Sequence, residues 1–234
     1  MTGPGSNDGR RHAIVALDTA TRTVVVAIGL PDGEAIGISS WEAGFRHGET
    51  LLPSLSRFLG ETNIRRSRID GLIIGTGPGA FTGLRVGVAT AKGLAHALGK
   101  PIVGVPTGEG LLEAISHETG ESRESFALLL PAGPADRVLV RSGERPVLLP
   151  GGEEPALRDE RLVALDLDGR APEDALALGT RALGGLGRAL LRIGAARLAA
   201  GDADDLERLV PEYVTLPRGV NREIGEVAWS RGPR

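Results

Sequence analysis

Residues 75–99 read GTGPGAFTGLRVGVATAKGLAHALG. Gly75, Gly77, Gly79, Gly83 and Gly87 fall within thirteen positions, and a helical pattern continues from them. Such a run fits a tight backbone turn that opens a helix. "IDGLIIGTG" before it reads as a buried strand and "KPIVGVP" after it as another. The block is therefore the centre of an α/β unit. Two readings of the turn stay open. The unpaired N–H groups of the helix start suit an anion, and Thr82 suits a cap of its own helix with no ligand.

Upstream, "AIVALDTA", "TVVVAIGL" and "EAIGISSW" read as three strands, the last two joined by Pro31-Asp32-Gly33. "ETLLPSLSRFLGET" carries Leu51, Leu52, Leu55, Phe58 and Leu59 at helical spacing, with Pro53 in the first turn, where its missing N–H does little harm. Downstream, residues 107–117 read as helix. "SFALLLPAG", "RVLVRSG", "PVLLPGG" and "RLVALDLDG" read as strands, 173–200 as a long helix and "GDADDLERLV" as a short one. The second half weakly repeats the order of the first.

Chemistry is narrowed by what the chain lacks. It has no cysteine, so disulfides, thiolate catalysis and cysteine zinc sites are excluded. His12, His47, His96 and His117 contain no pair at metal-ligand spacing, which argues against a metalloprotease. A net charge of −3 gives no basic field for nucleic acid. No apolar run approaches the roughly 20 residues of a membrane span. The opening MTGPGSNDGRRH lacks a signal-peptide core, so the expected compartment is the cytoplasm.

Two motifs invite a nucleotide. In "LDTATRTVVVAIG" an acid closes a strand ahead of a threonine turn, as in actin-like ATPases and sugar kinases, where the turn faces phosphates and the acid holds a metal-bound water. Here the usual glycine of that turn is Ala20, whose Cβ hinders a phosphate. A hairpin turn whose Asp and Thr bond backbone is the plainer reading. Gly75, Gly77 and Ala80 also satisfy a dinucleotide fingerprint, but no acid lies about 20 residues on, and no Gly-Lys-Ser/Thr makes a Walker loop. Along the following helix Gly83, Gly87, Ala91 and Ala95 recur every fourth residue and share one face. That face suits close packing either on the chain's own sheet or on a partner helix. Arg85, one turn in, reads as an exposed charge or an ion-pair partner.

"LDTAT", "RHGETLLPSL", the whole of "GTGPGAFTGLRVGVATAKGLAHALGKPIVGVPT", and the late "PEYV" and "EVAW" together resemble the TsaB/YeaZ family. The resemblance is strong over 13–107, patchy over 108–200, and returns at 210–229. It implies an α/β, actin-like ATPase (ASKHA) fold of two RNase H-like subdomains with mixed sheets. These would be an N-terminal subdomain at 12–106 and a reduced C-terminal one at 107–216, with flexible segments at 1–11 and 217–234. It implies a non-catalytic scaffold, a degenerate relative of TsaD, the subunit that places threonylcarbamoyl on the adenosine beside the anticodon. The implied partners are a TsaD homologue, a TsaE homologue and a second copy through the same helical surface, with tRNA met only indirectly.

On that resemblance Asp18, Thr19, Ala20, Thr21, Gly75, Gly77, Gly79, Thr82 and Gly83 are vestigial phosphate loops, with no catalytic residue and no metal. Leu51, Leu55, Phe58, Gly83, Gly87, Ala91 and Ala95 form the partner face. No cofactor is expected, and ATP or ADP at a subunit interface would not be turned over by the chain alone. The arginines of 218–234 around "VAW" are expected to order on a partner. The chain departs from the family where an Asp-Ala-Arg-x-Gly-Glu-Val-Tyr stretch is usual, reading "LLPAGPADRVLVRSG", and has Pro106-Thr107-Gly108 for Ser-Thr-Leu. The competing functions are an actin-like ATP-binding kinase or ATPase, and an interaction protein of cell-wall or resuscitation regulation.

Overall fold

The computed structural model describes residues 11–44 and 46–214. The segments expected to be flexible, 1–11 and 217–234, lie outside that range apart from Arg11. The chain opens with the antiparallel meander β1 (Ala13–Asp18), β2 (Thr23–Gly29) and β3 (Ala35–Glu42). Next come α1 (His47–Glu61), β4 (Ile69–Gly75), α2 (Phe81–Leu98) and β5 (Ile102–Val105). β4 and β5 add in parallel beside β1, which gives a mixed sheet of order β3-β2-β1-β4-β5.

The second half holds α3 (Thr107–Thr119), β6 (Phe126–Pro131), β7 (Arg137–Val140), β8 (Val147–Leu149), β9 (Arg161–Ala164) and α4 (Glu173–Ala199). Its sheet runs β8-β7-β6-β9, antiparallel except for β9 beside β6. This is the order of the first four places of the first sheet. The fifth has no counterpart among the described residues.

β1, β2, β4 and β5 are largely apolar on both faces because both faces are covered, while the edge strand β3 is only partly buried. In β1, Ala13, Val15 and Leu17 join the cluster under α1 and α2, while Ile14 and Ala16 join the one under α3 and α4. That second cluster also takes Phe126, Leu128 and Leu130 from β6, so α3 and α4 lie between the two sheets. The expected division at 106/107 therefore separates the sheets in sequence but not the core. Glycines let α4 come this close. A methyl at Gly179 would overlap the Ala164 carbonyl, and one at Gly194 would overlap Ile73.

Two expectations are corrected. Residues 201–210 form no helix. Instead Asp204 donates its N–H to the Ile102 carbonyl and accepts from Gly104 N–H at 2.7 Å, closing the free edge of β5. Lys92 then bonds the carbonyls of Glu207 and Leu209, which ties the turn at 206–208 to α2. The expected partner face is also largely internal. Leu51, Leu55, Phe58, Ala91 and Ala95 are buried in the chain's own core. Gly83 and Gly87 are buried beside them, and a methyl at Gly87 would overlap Thr19 Oγ1. The stripe exists so that α2 can lie on its own sheet.

Thr19 is not free to retreat, because its hydroxyl donates to the Gly83 carbonyl at 2.8 Å. Gly87→Leu should therefore destabilise the chain by about 3 kcal/mol, the upper part of the usual overpacking range. Thermal unfolding checks this. A variant that melts with the wild type would return the stripe to an external face.

Candidate functional site

Parallel strands end together, and ligand sites in open α/β sheets lie beyond those ends. Here β1 ends at Asp18, β4 at Gly75 and β5 at Val105. The glycine block crosses that edge and folds onto the β1–β2 turn. Gly77 has φ +104°, a conformation suited to glycine, and turns the chain back toward α3. The Ala80 N–H then donates to the Ala20 carbonyl at 2.7 Å. Gly79 is required there, since a Cβ would overlap that same carbonyl.

Asp18 lies at the centre and is fully buried. Its Oδ1 accepts from Ala20 N–H at 2.9 Å and its Oδ2 from the Thr107 hydroxyl at 2.7 Å. Thr107 Oγ1 in turn accepts from Gly77 N–H at 3.0 Å. A methyl at Gly75 would overlap the carboxylate. No cation pairs with it among the described residues. Burial pushes its pKa up to about 6, against the lowering effect of the Thr107 and Ala20 bonds.

All nine loop residues singled out from the sequence meet at this edge. Their roles are mutual: Asp18 and Thr19 hold the loop, and the Thr21 hydroxyl donates to the Thr23 carbonyl. The α2 start is Ala80, without a side-chain cap, so Thr82 does not cap the helix. Thr82 is exposed instead. Arg85 is exposed, as the first of its two readings had it, and makes no ion pair among the described residues. Its guanidinium stacks 3.9 Å from the Phe81 ring centroid, and its Nε donates to Tyr213 Oη at 3.1 Å.

Beside the loops, a cleft of about 520 Å³ opens between the two sheets. Ala20, Thr21, Arg22 and residues 79–83 form one wall, and Pro131, Ala132, Gly133, Asp166 and Arg170 the other. Asp166 accepts from Arg22 N–H at 2.8 Å. Burial raises its pKa, with Asp168 and Glu42 adding to the rise. The Arg22 guanidinium is taken by Asp168 at 2.7 Å.

A metal-bound phosphate, which this motif pair carries in actin-like ATPases, does not fit at Asp18. Both carboxylate oxygens are engaged, the group is fully buried, and the neighbouring Ala20 carbonyl is bonded to the Ala80 N–H. Among the described residues, no group of three or more His, Asp or Glu could hold a metal. No described helix is long and apolar enough to cross a membrane.

Sequence reading missed Thr107, which anchors Asp18, and Asp166 and Arg170, which line the far wall. Thr107 had a signal: it directly follows β5, at the same edge as Asp18. Asp166 and Arg170 had none, because a loop after β9 is tied to the first sheet only by tertiary packing.

A family model described as TsaD, tRNA N6-adenosine threonylcarbamoyltransferase, matches residues 34–156. An uncharacterized protein of Mycobacterium leprae is 34% identical over 140 residues, 52% of this chain and 38% of the relative. The Haemophilus influenzae tRNA threonylcarbamoyladenosine biosynthesis protein TsaB is 37% identical over 90 residues, 38% of this chain and 37% of that protein. These matches span less than half the length of either relative. The solved structure of YeaZ from Pseudomonas aeruginosa superposes with a TM-score of 0.67 at 24% identity, over 87% of this chain and all of that one. At that identity it shows a shared fold.

The raised pKa of Asp18 sets a sign for pH dependence. Below the ordinary carboxylate value of 3.8 the folded and unfolded chains both hold the proton, and between there and about 6 only the folded chain does. Asp18 therefore favours folding in acid, and that contribution is lost as pH rises from about 4 to 6, by roughly 3 kcal/mol. Asp18→Asn should remove this part of the stability profile. Urea unfolding at pH 4.5 and pH 7 checks it, and parallel profiles for wild type and variant would contradict it.

Proposed function

The chain belongs to the TsaD family of tRNA N6-adenosine threonylcarbamoyltransferases and is TsaB/YeaZ-like within it, and we propose that it is a non-catalytic scaffold of the complex that modifies the adenosine beside the tRNA anticodon. It pairs with a TsaD homologue, and a TsaE homologue joins the pair. It meets tRNA only through them, in the cytoplasm. Its two RNase H-like halves, 12–106 and 107–216, act as one rigid body. The observation that carries this reading is the sealing of Asp18. The acid that would serve a nucleotide in an active relative instead ties together the β1–β2 turn, the glycine loop and the start of α3. A kinase or ATPase would need that carboxylate in the cleft.

With the stripe turned inward, the partner surface lies on the outer rims of α1 and α2. An apolar groove of about 360 Å³ runs between them, lined by Leu52, Leu55, Leu59, Leu94 and Leu98 with Ser56 and Arg66. Leu52 is 50% exposed, an unusual position for leucine on a helix that already buries Leu51 and Leu55. Exposed apolar patches of this kind mark association sites. The same groove serves the second copy in a homodimer, so homodimer and mixed pair compete.

Leu52→Glu should leave the melting temperature within a degree or two and weaken binding to the TsaD partner at least tenfold, as loss of an interface anchor does. Titration calorimetry with the purified partner checks this. Unchanged affinity would move the interface elsewhere, and a parallel loss of stability would make Leu52 a core residue.

A further inference from the structure

The groove between α1 and α2 is apolar along its length and basic at one end. Arg66 lines it and belongs to the short turn Arg66–Arg68 that leads into β4. Its Nη2 donates to Ser56 Oγ at 3.1 Å, and it makes no ion pair among the described residues. Arg65 beside it and Arg11 before β1 are exposed, and neither makes an ion pair among the described residues. Arg68 closes the turn, and Lys100 follows the end of α2. The carboxylate bonded to this group is Asp70, and it is already shared. Lys100 Nζ donates to its Oδ1 at 3.2 Å, and His12 Nδ1 to its Oδ2 at 2.5 Å. Arg68 Nη1 donates in turn to His12 Nε2 at 2.9 Å. The C-termini of α1 and α2 add only about half a negative charge each. This edge therefore stays positive in a chain whose net charge is −3.

A helix laid in such a groove offers an apolar stripe to Leu52, Leu55, Leu94 and Leu98. Where it reaches the basic edge, like charge is penalised and carboxylates are favoured. A second copy of this chain meets that demand badly. Its α1 and α2 hold two acids, Glu49 and Glu61, taken by Arg46 at 2.8 Å and Arg57 at 3.5 Å. Arg85 and Lys92 on α2 add two cations that make no ion pair among the described residues. Single-stranded nucleic acid is also a poor match, because bases need rings to stack on. Residues 62–70 and 97–101 contain no Phe, Tyr or Trp.

On the reading that this groove takes the TsaD homologue, we propose that the basic edge of Arg11, Arg65, Arg66, Arg68 and Lys100 selects the occupant. The occupant is an amphipathic helix whose apolar stripe ends in carboxylates, and it is preferred over a second copy of this chain. The competition between mixed pair and homodimer is then decided by charge at one end of a groove that both could fill.

The double variant Arg65→Glu, Arg66→Glu in the full chain tests this. Both side chains are exposed, so its melting temperature should match the wild type. Arg65→Glu alone, which removes no bond among the described residues, should act in the same direction to a smaller degree. In titration calorimetry with the purified TsaD homologue at about 0.05 M salt, the double variant should bind about tenfold more weakly or worse. The gap should shrink below about threefold at about 0.5 M salt, where exposed charges are screened. Self-association of the variant, followed by sedimentation, should be unchanged or tighter. Unchanged affinity at low salt, with Leu52→Glu still disrupting the pair, would overturn the role of the edge and leave the groove reading standing. A wild-type chain that does not bind the TsaD homologue, or binding that survives Leu52→Glu, would overturn both. Self-association that weakens as much as the mixed pair would show that the edge does not discriminate, and would overturn the proposal. So would binding of a labelled tRNA that the reversal abolishes while affinity for the TsaD homologue is kept, which would assign the edge to nucleic acid.

Discussion

A carboxylate with no counter-charge among the described residues, buried where three segments meet, organises this molecule. Asp18 must accept hydrogen bonds on both oxygens to be tolerated at full burial. Ala20 and Thr107 supply them. Each bond fixes a piece of backbone: the β1–β2 turn on one side, the start of α3 on the other, and the glycine loop through Thr107 and Gly77. The close approach of that loop then demands glycine at 75 and 79, where a Cβ would strike Asp18 and the Ala20 carbonyl. The glycine block is the consequence of this packing, and it directs α2 across the sheet.

From there the layering follows. α2 lies close on β1 and β4 because Gly83, Gly87, Ala91 and Ala95 offer no bulk, and α1 packs beside it with Leu51, Leu55 and Phe58 turned inward. The opposite sheet face is covered by α3 and α4, which also serve the second sheet. What remains outside on α1 and α2 is the apolar groove around Leu52 and Leu94.

Much of this was legible in the sequence. The apolar runs "AIVALD" and "TVVVAIG", the strand–helix order through residue 105 and the long helix at 173–200 all follow from hydrophobic patterning, which reports local geometry directly. The fold shared with YeaZ and the TsaB-like family were carried by the glycine block and "LDTAT". The direction in which the small-residue stripe faces was not legible. A stripe of glycine and alanine states that something comes near, and only Thr19 and Ile74 in place show that it is the chain's own sheet. The segment 201–210 was misread for a related reason. Asp204, within the "GDADDLERLV" that reads as a short helix, finds its partners on β5, a contact between residues 100 positions apart.

The central claim is that Asp18 is structural and that the chain supports chemistry carried out elsewhere. Reconstituted tRNA modification by the TsaD and TsaE homologues, with wild-type chain or with Asp18→Asn at matched and saturating concentrations, tests it most directly. The neutral variant keeps the shape of the side chain and an acceptor for Ala20. The account predicts modification rates equal within a factor of about two. A fall of a hundredfold or more, with partner affinity and melting temperature unchanged, would show that the carboxylate takes part in the reaction and would contradict the account.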